Sequence, residues 1–384
     1  MGFEFHSPTR IVFGHGALQG IGQLVRSFGR HAFVVTGRNP ARGEPLRERL
    51  TESDIATTFL RLGGEPTLDD ITRGLDQARA ADCDLVIGIG GGSAIDAAKA
   101  VAALLTNEGE LSDFLEVVGR ARSLSRPAAP CVAIPTTAGT GSEVTRNAVL
   151  ASPSHRVKVS LRSPFLAPRL ALVDPSLTRS LPPDLTATTG LDALTQLIEP
   201  LVSARANPLT DSFCRDGIAR VARSLRRAVA DGGDAAARED LAIASLLSGL
   251  ALANAGLGAV HGIAGPLGGR FPIPHGAACA VLLAPVMAAN LRALRARAPN
   301  HAAISHYDEI ARLLTGRKDA TAYDGVAWIR QLAVDLRIPS LADHGVRREE
   351  LPTVVEAATK ASSMRANPLP LTMDELAGLL EAAM

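Results

Sequence analysis

The chain has 384 residues, 46% of them hydrophobic and 21% charged, a balance typical of a soluble globular protein long enough for two domains. The formal net charge of +1 gives no reason to expect nucleic acid or an acidic membrane surface as a partner. Four scattered cysteines predict reduced thiols. Because the N-terminus does not resemble a signal peptide and no apolar run is long enough for a membrane span, we expect a cytoplasmic protein.

The first half of the chain alternates strand-like and helix-like segments. This alternation predicts parallel strands joined by crossover helices. The predicted strands cover residues 9–13, 31–36, 58–62, 84–88 and 130–135. The predicted helices cover residues 18–28, 46–52 and 67–81.

From about Leu181 onward, Ala and Leu recur at helical spacing. The predicted helices cover residues 187–199, 210–230, 235–255, 277–296, 307–314, 321–336, 347–360 and 372–383. The pair Pro182-Pro183 marks the expected boundary between an α/β domain, 1–180, and an all-α domain, 181–384. A ligand site is expected in a cleft between the two domains.

An apolar strand runs into Gly90, Gly91 and Gly92 and continues as a helix. Glycines let a backbone approach a ligand closely, and the N–H groups at a helix start attract anions. Ser93 is expected to cap this helix, and Asp96 lies in its first turn. The glycine spacing is neither a Rossmann fingerprint nor a P-loop. The turn therefore indicates a diphosphate site, with a plain tight turn as the alternative.

A second loop, 135–145, follows the next predicted strand and concentrates hydroxyl side chains, glycines and one acid. Open parallel sheets bind ligands at such strand ends, and hydroxyls can donate to phosphate or ribose. A merely polar loop is the alternative.

Asp192 and Gln196 are four residues apart on a predicted helix and therefore share a face. His261 and His275 follow downstream in a Gly/Pro-rich stretch. A carboxylate and imidazoles from different helices suit a divalent transition metal. Histidines that only form hydrogen bonds in the core are the alternative.

Together these segments resemble the iron-containing (group III) alcohol dehydrogenases over nearly the whole chain. The resemblance rests on Phe13-Gly14, Gly90 to Ser93 with Asp96 and Lys99, the segment 135–143, Val173-Asp174-Pro175, the segment 190–195, and Pro274-His275-Gly276. It implies an N-terminal dinucleotide-binding α/β domain and a C-terminal helical domain. It also implies hydride transfer between NAD(P)H and a small alcohol, aldehyde or ketone, in a homo-oligomer, most simply a homodimer.

The resemblance further implies which residues bind the cofactor. Gly91, Gly92 and Ser93, with Asp96 in the same turn, would hold the diphosphate. Thr136, Thr137, Thr140, Thr145 and Lys158 would line the nicotinamide and ribose, and the segment from Thr178 to Pro182, including Leu181, the adenine. Relatives that prefer NAD tend to have Asp where this chain has Gly37, and Arg38 or Arg42 could pair with a 2′-phosphate. We therefore expect NADP(H) to be preferred, with NAD(H) tolerated.

The resemblance also implies a metal site, with two departures. The family usually has four ligands, one Asp and three His, and this chain supplies Asp192, Gln196, His261 and His275. Gly265 stands where many members have another active-site histidine. A glutamine oxygen is neutral and a weaker ligand than imidazole. We still expect zinc or iron, because Asp192 would otherwise be a carboxylate without a cation.

Three alternatives stay open at this point. Metal-independent maleylacetate reductases are related enzymes, although we expect a non-acidic residue at the position of Asp192 in them. Dehydroquinate synthases share the broad architecture and use NAD only transiently. A paralogue that binds a dinucleotide without catalysis would retain the cofactor loops.

Overall fold

The computed structural model describes residues 2–384. The chain forms two units. One comprises Ser7–Thr137 and Gly141–Arg179, and the other comprises residues 2–6, Ala138–Thr140 and Ser180–Met384. We refer to them as the α/β unit and the helical unit.

The α/β unit is built on a sheet of parallel strands. Its strands are β1 (Arg10–Phe13), β2 (His31–Thr36), β3 (Ala56–Arg61), β4 (Leu85–Gly90), β5 (Cys131–Pro135), β6 (Asn147–Ser152), β7 (Val157–Arg162) and β8 (Leu170–Val173). Six of them form one sheet in the order β1-β8-β5-β4-β2-β3, and every pairing in it is parallel. The other two, β6 and β7, form an antiparallel hairpin.

Helices cover this sheet. They are α1 (Ile21–Val25), α2 (Glu44–Thr51), α3 (Leu68–Ala80), α4 (Gly92–Thr106) and α5 (Leu111–Phe114). The central strand β4 is buried along its whole length, as expected for a parallel sheet with both faces covered. Helix α4 lies close to β4 because the strand carries Gly88, where a Cβ would come within 2.9 Å of the Cβ of Ala98.

The helical unit contains α6 (Pro183–Val202), α7 (Pro208–Ala230), α8 (Ala235–Ala255), α9 (Ala259–Arg270), α10 (His275–Arg297), α11 (Ala302–Thr315), α12 (Ala322–Asp335), α13 (Leu351–Thr359) and α14 (Met373–Glu381). Helix α6 is buried from Gly190 to Val202 and packs against α7, α8 and α10. The N-terminal residues join this unit, where the backbone N–H of His6 donates to the side-chain oxygen of Asn254.

One described helix, α10, is long and apolar enough to cross a membrane, and 83% of its most apolar window is buried inside the protein. Helices α8 and α9 pass the same test only as a pair, but they are bent by 101° at the break between them. Long apolar helices of this kind are also found in the cores of globular proteins.

The predicted fold class, an α/β N-terminal part followed by a helical part, is confirmed. Several local predictions were wrong, and some predicted helix ends differ from the structure by up to five residues, as for 307–314 against α11 (Ala302–Thr315). The predicted helix 18–28 is a 3-10 turn, Ala17–Gly20, followed by the short α1, because Gly20 and Gly22 weaken helix formation. Ser93 does not cap α4, because the helix begins at Gly92 with Gly91 as its N-cap residue, two residues earlier than a cap at Ser93 would require. The helix predicted for 277–296 begins at His275.

The sequence analysis also missed five of these strands and helices: the hairpin strands β6 and β7, strand β8, the short helix α5, and helix α9. Helix α9 contains glycines and Pro266, which have low helix propensity. Its residues are nevertheless buried against α10 and α13, and this packing outweighs the local preference.

Candidate active site

Three strand ends of the α/β unit meet at one edge of the sheet. The register pairs Gly90 of β4 with Pro135 of β5, and Thr36 of β2 with Ile89 of β4. The glycine turn, the second loop and the segment after β2 therefore start from neighbouring positions. This edge is where open parallel sheets bind nucleotides.

The glycine turn has little room for side chains. Gly90 has a φ of +158°, and a Cβ there would lie 2.7 Å from the Cβ of Ala94. A Cβ on Gly91 would lie 3.3 Å from the side chain of Thr137. Gly92 and Ser93 form the first turn of α4. The backbone at this helix start is thus the closest surface that a diphosphate could approach.

Lys99 and Asp96, both on α4, hold the second loop. The Lys99 ammonium is fully buried, and its Nζ donates to the carbonyl of Ser142 at 2.9 Å and to the hydroxyl of Thr145 at 3.0 Å. Nζ also lies 3.2 Å from Asp96. The Asp96 carboxylate accepts from the Ser142 hydroxyl and from the backbone N–H of Val149. Asp96 and Thr145 therefore both stabilise the loop in this structure.

The same loop contains two further buried polar groups. The Thr136 hydroxyl is buried and has no hydrogen-bond partner among the described residues. Glu143 is 1% exposed, and burial raises its pKa to about 7. An unsatisfied buried hydroxyl at a strand end is consistent with a missing ligand.

The other predicted cofactor-binding residues either form hydrogen bonds within the protein or belong to the helical unit. Lys158 of β7 donates to Glu65 at 2.6 Å, and the Thr178 hydroxyl donates to the carbonyl of Pro175 at 2.8 Å. In the helical unit, the Leu181 carbonyl accepts from Arg238, and Thr140 belongs to that unit as well.

The segment after β2 leaves space for a side chain at Gly37. No heavy atom lies within 4 Å of a Cβ built on Gly37. Next to it, Arg38 donates from Nε to the carbonyl of Gly63 in the segment after β3. An acidic side chain would therefore fit at position 37 without a clash.

The second cluster lies in the helical unit and brings together side chains from three helices. Asp192 comes from α6, His261 from α9, and His275 and Cys279 from α10. One potential ligand atom from each of the four side chains lies within 4.8 Å of the others. Asp192 Oδ1 is 3.5 Å from His261 Nε2 and 3.7 Å from His275 Nε2. The cysteine Sγ is 3.8 and 3.7 Å from the same two nitrogens.

Glu199 positions the His261 ring from behind. One oxygen of Glu199 lies 2.7 Å from His261 Nδ1, and the other accepts from the backbone N–H of Val260 at 2.7 Å. An ionised carboxylate only accepts hydrogen bonds, so Nδ1 carries the proton in this arrangement. The Nε2 atom, which faces Asp192 and Cys279, is then available as a ligand, as in many metal sites.

The predicted ligand Gln196, on the same helix as Asp192, has a hydrogen-bond partner within the helical unit. It is 3% exposed, and its side-chain oxygen accepts from the Ser248 hydroxyl at 3.0 Å. Gly265 has no heavy atom within 4 Å of a Cβ built on it, so open space replaces the histidine that the resemblance implied there. Cys279, which the sequence analysis did not consider, lies four residues after His275, the same spacing that linked Asp192 to Gln196.

The charges of the cluster favour a cation. Burial alone would raise the pKa of Asp192, but His275 and His261 keep it below its ordinary value. The Cys279 sulfur and Asp192 raise the pKa of His275. Burial alone would lower the pKa of His261, but Cys279, Glu199 and Asp192 raise it well above its usual value. Positive charge, on the imidazoles or on a bound ion, therefore stabilises the group.

A divalent metal fits the residues present. Asp192 is 1% exposed, and its Oδ1 has no hydrogen-bond partner among the described residues. Its separations from the two imidazoles, 3.5 and 3.7 Å, are long for hydrogen bonds. Carboxylate, imidazole and thiolate groups are all common ligands of zinc and related ions.

Comparisons with known proteins agree with this architecture. The profile "Iron-containing alcohol dehydrogenase" matches residues 8–175, and "Fe-containing alcohol dehydrogenase family, C-terminal" matches residues 186–384. Alcohol dehydrogenase 4 of Schizosaccharomyces pombe is 37% identical over 99% of this chain and 89% of its own length.

Solved structures are also similar. A 1,3-propanediol oxidoreductase superposes with a TM-score of 0.93 at 34% identity and covers 100% of both chains. A sulfoacetaldehyde reductase from Bifidobacterium kashiwanohense, solved in complex with NAD+, gives a TM-score of 0.88 at 28% identity over 100% of this chain and 99% of its own. The chain belongs to the iron-containing alcohol dehydrogenase family.

This membership confirms the predicted family and the predicted class of enzyme, an NAD(P)-dependent oxidoreductase acting on small alcohols and carbonyl compounds. The maleylacetate-type and non-catalytic alternatives gain no support from these relatives.

Proposed function

We propose that the chain transfers hydride between a nicotinamide cofactor and a small alcohol or its aldehyde or ketone at a site that holds one divalent ion. The observation that carries the metal part is the buried group of potential ligands around the unpartnered Asp192 Oδ1. Asp192 would supply an anionic oxygen, and His261 and His275 two imidazole nitrogens. A zinc or iron ion bound there would polarise the substrate oxygen.

The residues of the two units have separate roles in this proposal. We assign dinucleotide binding to the domain 1–180 and metal and substrate binding to the domain 181–384. The turn from Gly91 to Ser93 and the hydroxyls of Thr136 and Thr137 would hold the cofactor, because they lie at the strand ends where nucleotides bind. Glu199 keeps the Nε2 of His261 directed toward Asp192 and Cys279.

Gly265, which stands where many family members have another active-site histidine, has no side chain that could donate a proton. The space beside Gly265 is open, so water can approach there. We therefore assign proton exchange to solvent or to a ribose hydroxyl of the cofactor.

The cofactor is NADP(H) in preference to NAD(H) under this proposal. Gly37 carries no charge that would repel a 2′-phosphate, and Arg38 beside it offers a positive charge. We also propose a cytoplasmic homodimer. The four buried cysteines without disulfides are consistent with a reducing compartment.

A substrate panel tests this function. Short alcohols and aldehydes are supplied with NADH, NADPH and their oxidised forms, cofactor absorbance is followed, and the metal content of the same sample is measured. Chelation should abolish turnover, and Zn²⁺ or Fe²⁺ under reducing conditions should restore it. His261→Ala and Asp192→Ala should be inactive. His344→Ala, a histidine change in a turn of the same unit, serves as the matched control and should keep full activity.

Two outcomes would overturn the proposal. Full turnover after chelation, with no metal detected, would point to a metal-independent reductase, and an unsaturated oxo acid would then be the substrate to try. Binding of the cofactor without turnover of any substrate would point to a non-catalytic paralogue.

A further inference from the structure

Cys279 is part of the metal cluster, but neither the family's usual ligands nor the proposed function assigns it a role. It is fully buried on α10, one helical turn after His275. Its sulfur lies 3.8 Å from His261 Nε2 and 3.7 Å from His275 Nε2. Both of these nitrogens belong to side chains that the proposed function assigns as metal ligands. The sulfur therefore lies beside the same expected metal position.

The separations match those of ligands around a single ion. Ligand atoms bound at about 2.0–2.3 Å to a tetrahedral ion lie about 3.3–3.8 Å from one another. The two distances from Asp192 Oδ1 to the imidazole nitrogens are 3.5 and 3.7 Å, and those from the sulfur to the same nitrogens are 3.8 and 3.7 Å. These four separations therefore already have the spacing of a coordination shell, and all four ligand atoms lie within 4.8 Å of one another.

A second observation points to an ion-binding role for this group. Asp192 Oδ1 is directed into the same group, is buried, and lacks a hydrogen-bond partner among residues 2–384. Leaving such an atom unpaired costs about 1–3 kcal/mol, and more for a charged group. Gln196 does not relieve this cost, because Oδ1 receives no hydrogen bond from it, and its side-chain oxygen accepts from Ser248.

The geometry points to Cys279, in place of Gln196, as the fourth protein ligand, and to zinc as the ion that this set selects. This inference rests on the proposed function, in which the site holds a divalent metal. On binding, the S–H bond of Cys279 breaks, its proton passes to solvent, and the sulfur donates an electron pair to the ion; nothing is oxidised or reduced. Thiolate is a soft ligand, which favours zinc over ions that prefer oxygen.

The approach to the site agrees with this assignment. The His275 side chain is 34% exposed, whereas those of Asp192 and His261 are 2% and 7% exposed. Cys279 is as buried as these two, so a substrate would approach from the side of His275. A free cysteine commonly serves instead as a small buried hydrophobic residue. That role predicts the opposite result in the experiment below.

Cobalt substitution tests the assignment without relying on activity. The metal-free full-length chain is loaded with Co²⁺, and a sulfur-to-cobalt charge-transfer band is sought in the near ultraviolet. Affinity for Zn²⁺ is measured separately by competition with a chelating dye. The variants are Cys279→Ser, Cys279→Ala and Gln196→Ala. Cys214→Ser is the matched control, because Cys214 is an equally buried cysteine of the helical unit that lies on α7.

We expect the band in the parent chain and in Cys214→Ser, and its loss in both Cys279 variants. Zinc affinity should fall by about 100-fold or more in the Cys279 variants, beyond the range that loss of an outer-shell partner produces, and by less than about tenfold in Gln196→Ala. Far-ultraviolet circular dichroism checks that each variant is folded, and the two Cys279 variants provide independent tests of the same position.

Two results would overturn the inference. If cobalt binds without the band, or if the band persists in Cys279→Ala, the sulfur is not a ligand, and the proposed metal-assisted function survives with another fourth ligand. If neither Co²⁺ nor Zn²⁺ binds the parent chain, the proposed metal site fails and the cysteine assignment fails with it.

Discussion

Glu143 gives the second loop a pH-dependent stability that can be measured directly. The residue is 1% exposed, and burial raises its pKa from 4.5 to about 7, although the nearby Lys99 acts in the opposite direction. In the unfolded chain the carboxyl group has its ordinary pKa. The folded protein therefore binds more protons than the unfolded chain between about pH 4.5 and pH 7.

The sign and size of the effect follow from this difference. Below the unfolded pKa, both states hold the proton and the full contribution to stability is present. As the pH rises through the folded pKa, that contribution is lost, because the folded state must then bury a charged carboxylate. A shift of about 2.5 units corresponds to at most about 3.4 kcal/mol in the free energy of unfolding.

The substitution Glu143→Gln should remove this pH dependence, because the amide has a similar shape and stays neutral. Relative to the parent chain, the variant should gain up to about 3.4 kcal/mol between about pH 4.5 and about pH 8. Urea unfolding followed by circular dichroism across this range measures the difference. Glu48→Gln, the same chemical change at an exposed position on α2, is the control and should give curves parallel to those of the parent. Identical pH slopes for the parent and Glu143→Gln would refute the reasoning.

The remaining predictions concern the cofactor and metal sites. Gly91→Val should weaken cofactor binding at least about tenfold, because its side chain would fill the space beside Thr137; calorimetry measures the affinity, and an unchanged value with an intact fold would contradict the diphosphate site. Gly37→Asp, which meets no neighbouring atom, should lower the NADPH-to-NADH ratio of kcat/KM about tenfold, and a constant ratio would count against the proposed preference. Glu199→Ala should weaken zinc binding about 10–100-fold by releasing His261, with partial recovery in Glu199→Gln; equal affinities in the folded variants would show that Glu199 does not position the ring.

Much of the α/β unit could be predicted from local pattern. Strand β2 occupies the predicted residues, and α3 lies within one residue of its predicted ends. Both have strong signals: β2 is a continuous apolar run, and α3 begins at a Thr67–Asp70 capping box. Strand β8 is short and α9 is rich in glycine, so their signals were weak. Packing against neighbours that are distant in sequence determines both of them.

The candidate metal site shows where local pattern stops being sufficient. The i,i+4 rule correctly placed Asp192 and Gln196 on one helix, but it cannot tell which side chain turns toward the ion and which binds a neighbour. The Ser248 hydroxyl, 52 residues away in sequence, donates to the Gln196 side-chain oxygen in this structure. Such a contact depends on how α6 packs against α8, which no short motif encodes.

Cys279 was overlooked for a different reason: the start of α10 was predicted too late in the sequence. The predicted helix began at residue 277, so His275 stood outside it and the i,i+4 rule was not applied to His275 and Cys279. The structure begins α10 at His275, with Pro274 as its N-cap residue. A residue before a helix tends to adopt extended backbone, and Gly276 has low helix propensity, so the pattern favoured the later start. A two-residue error at a helix boundary was thus enough to hide a candidate ligand. The same spacing, applied one turn either side of each predicted helix start, would have placed the sulfur beside the imidazole.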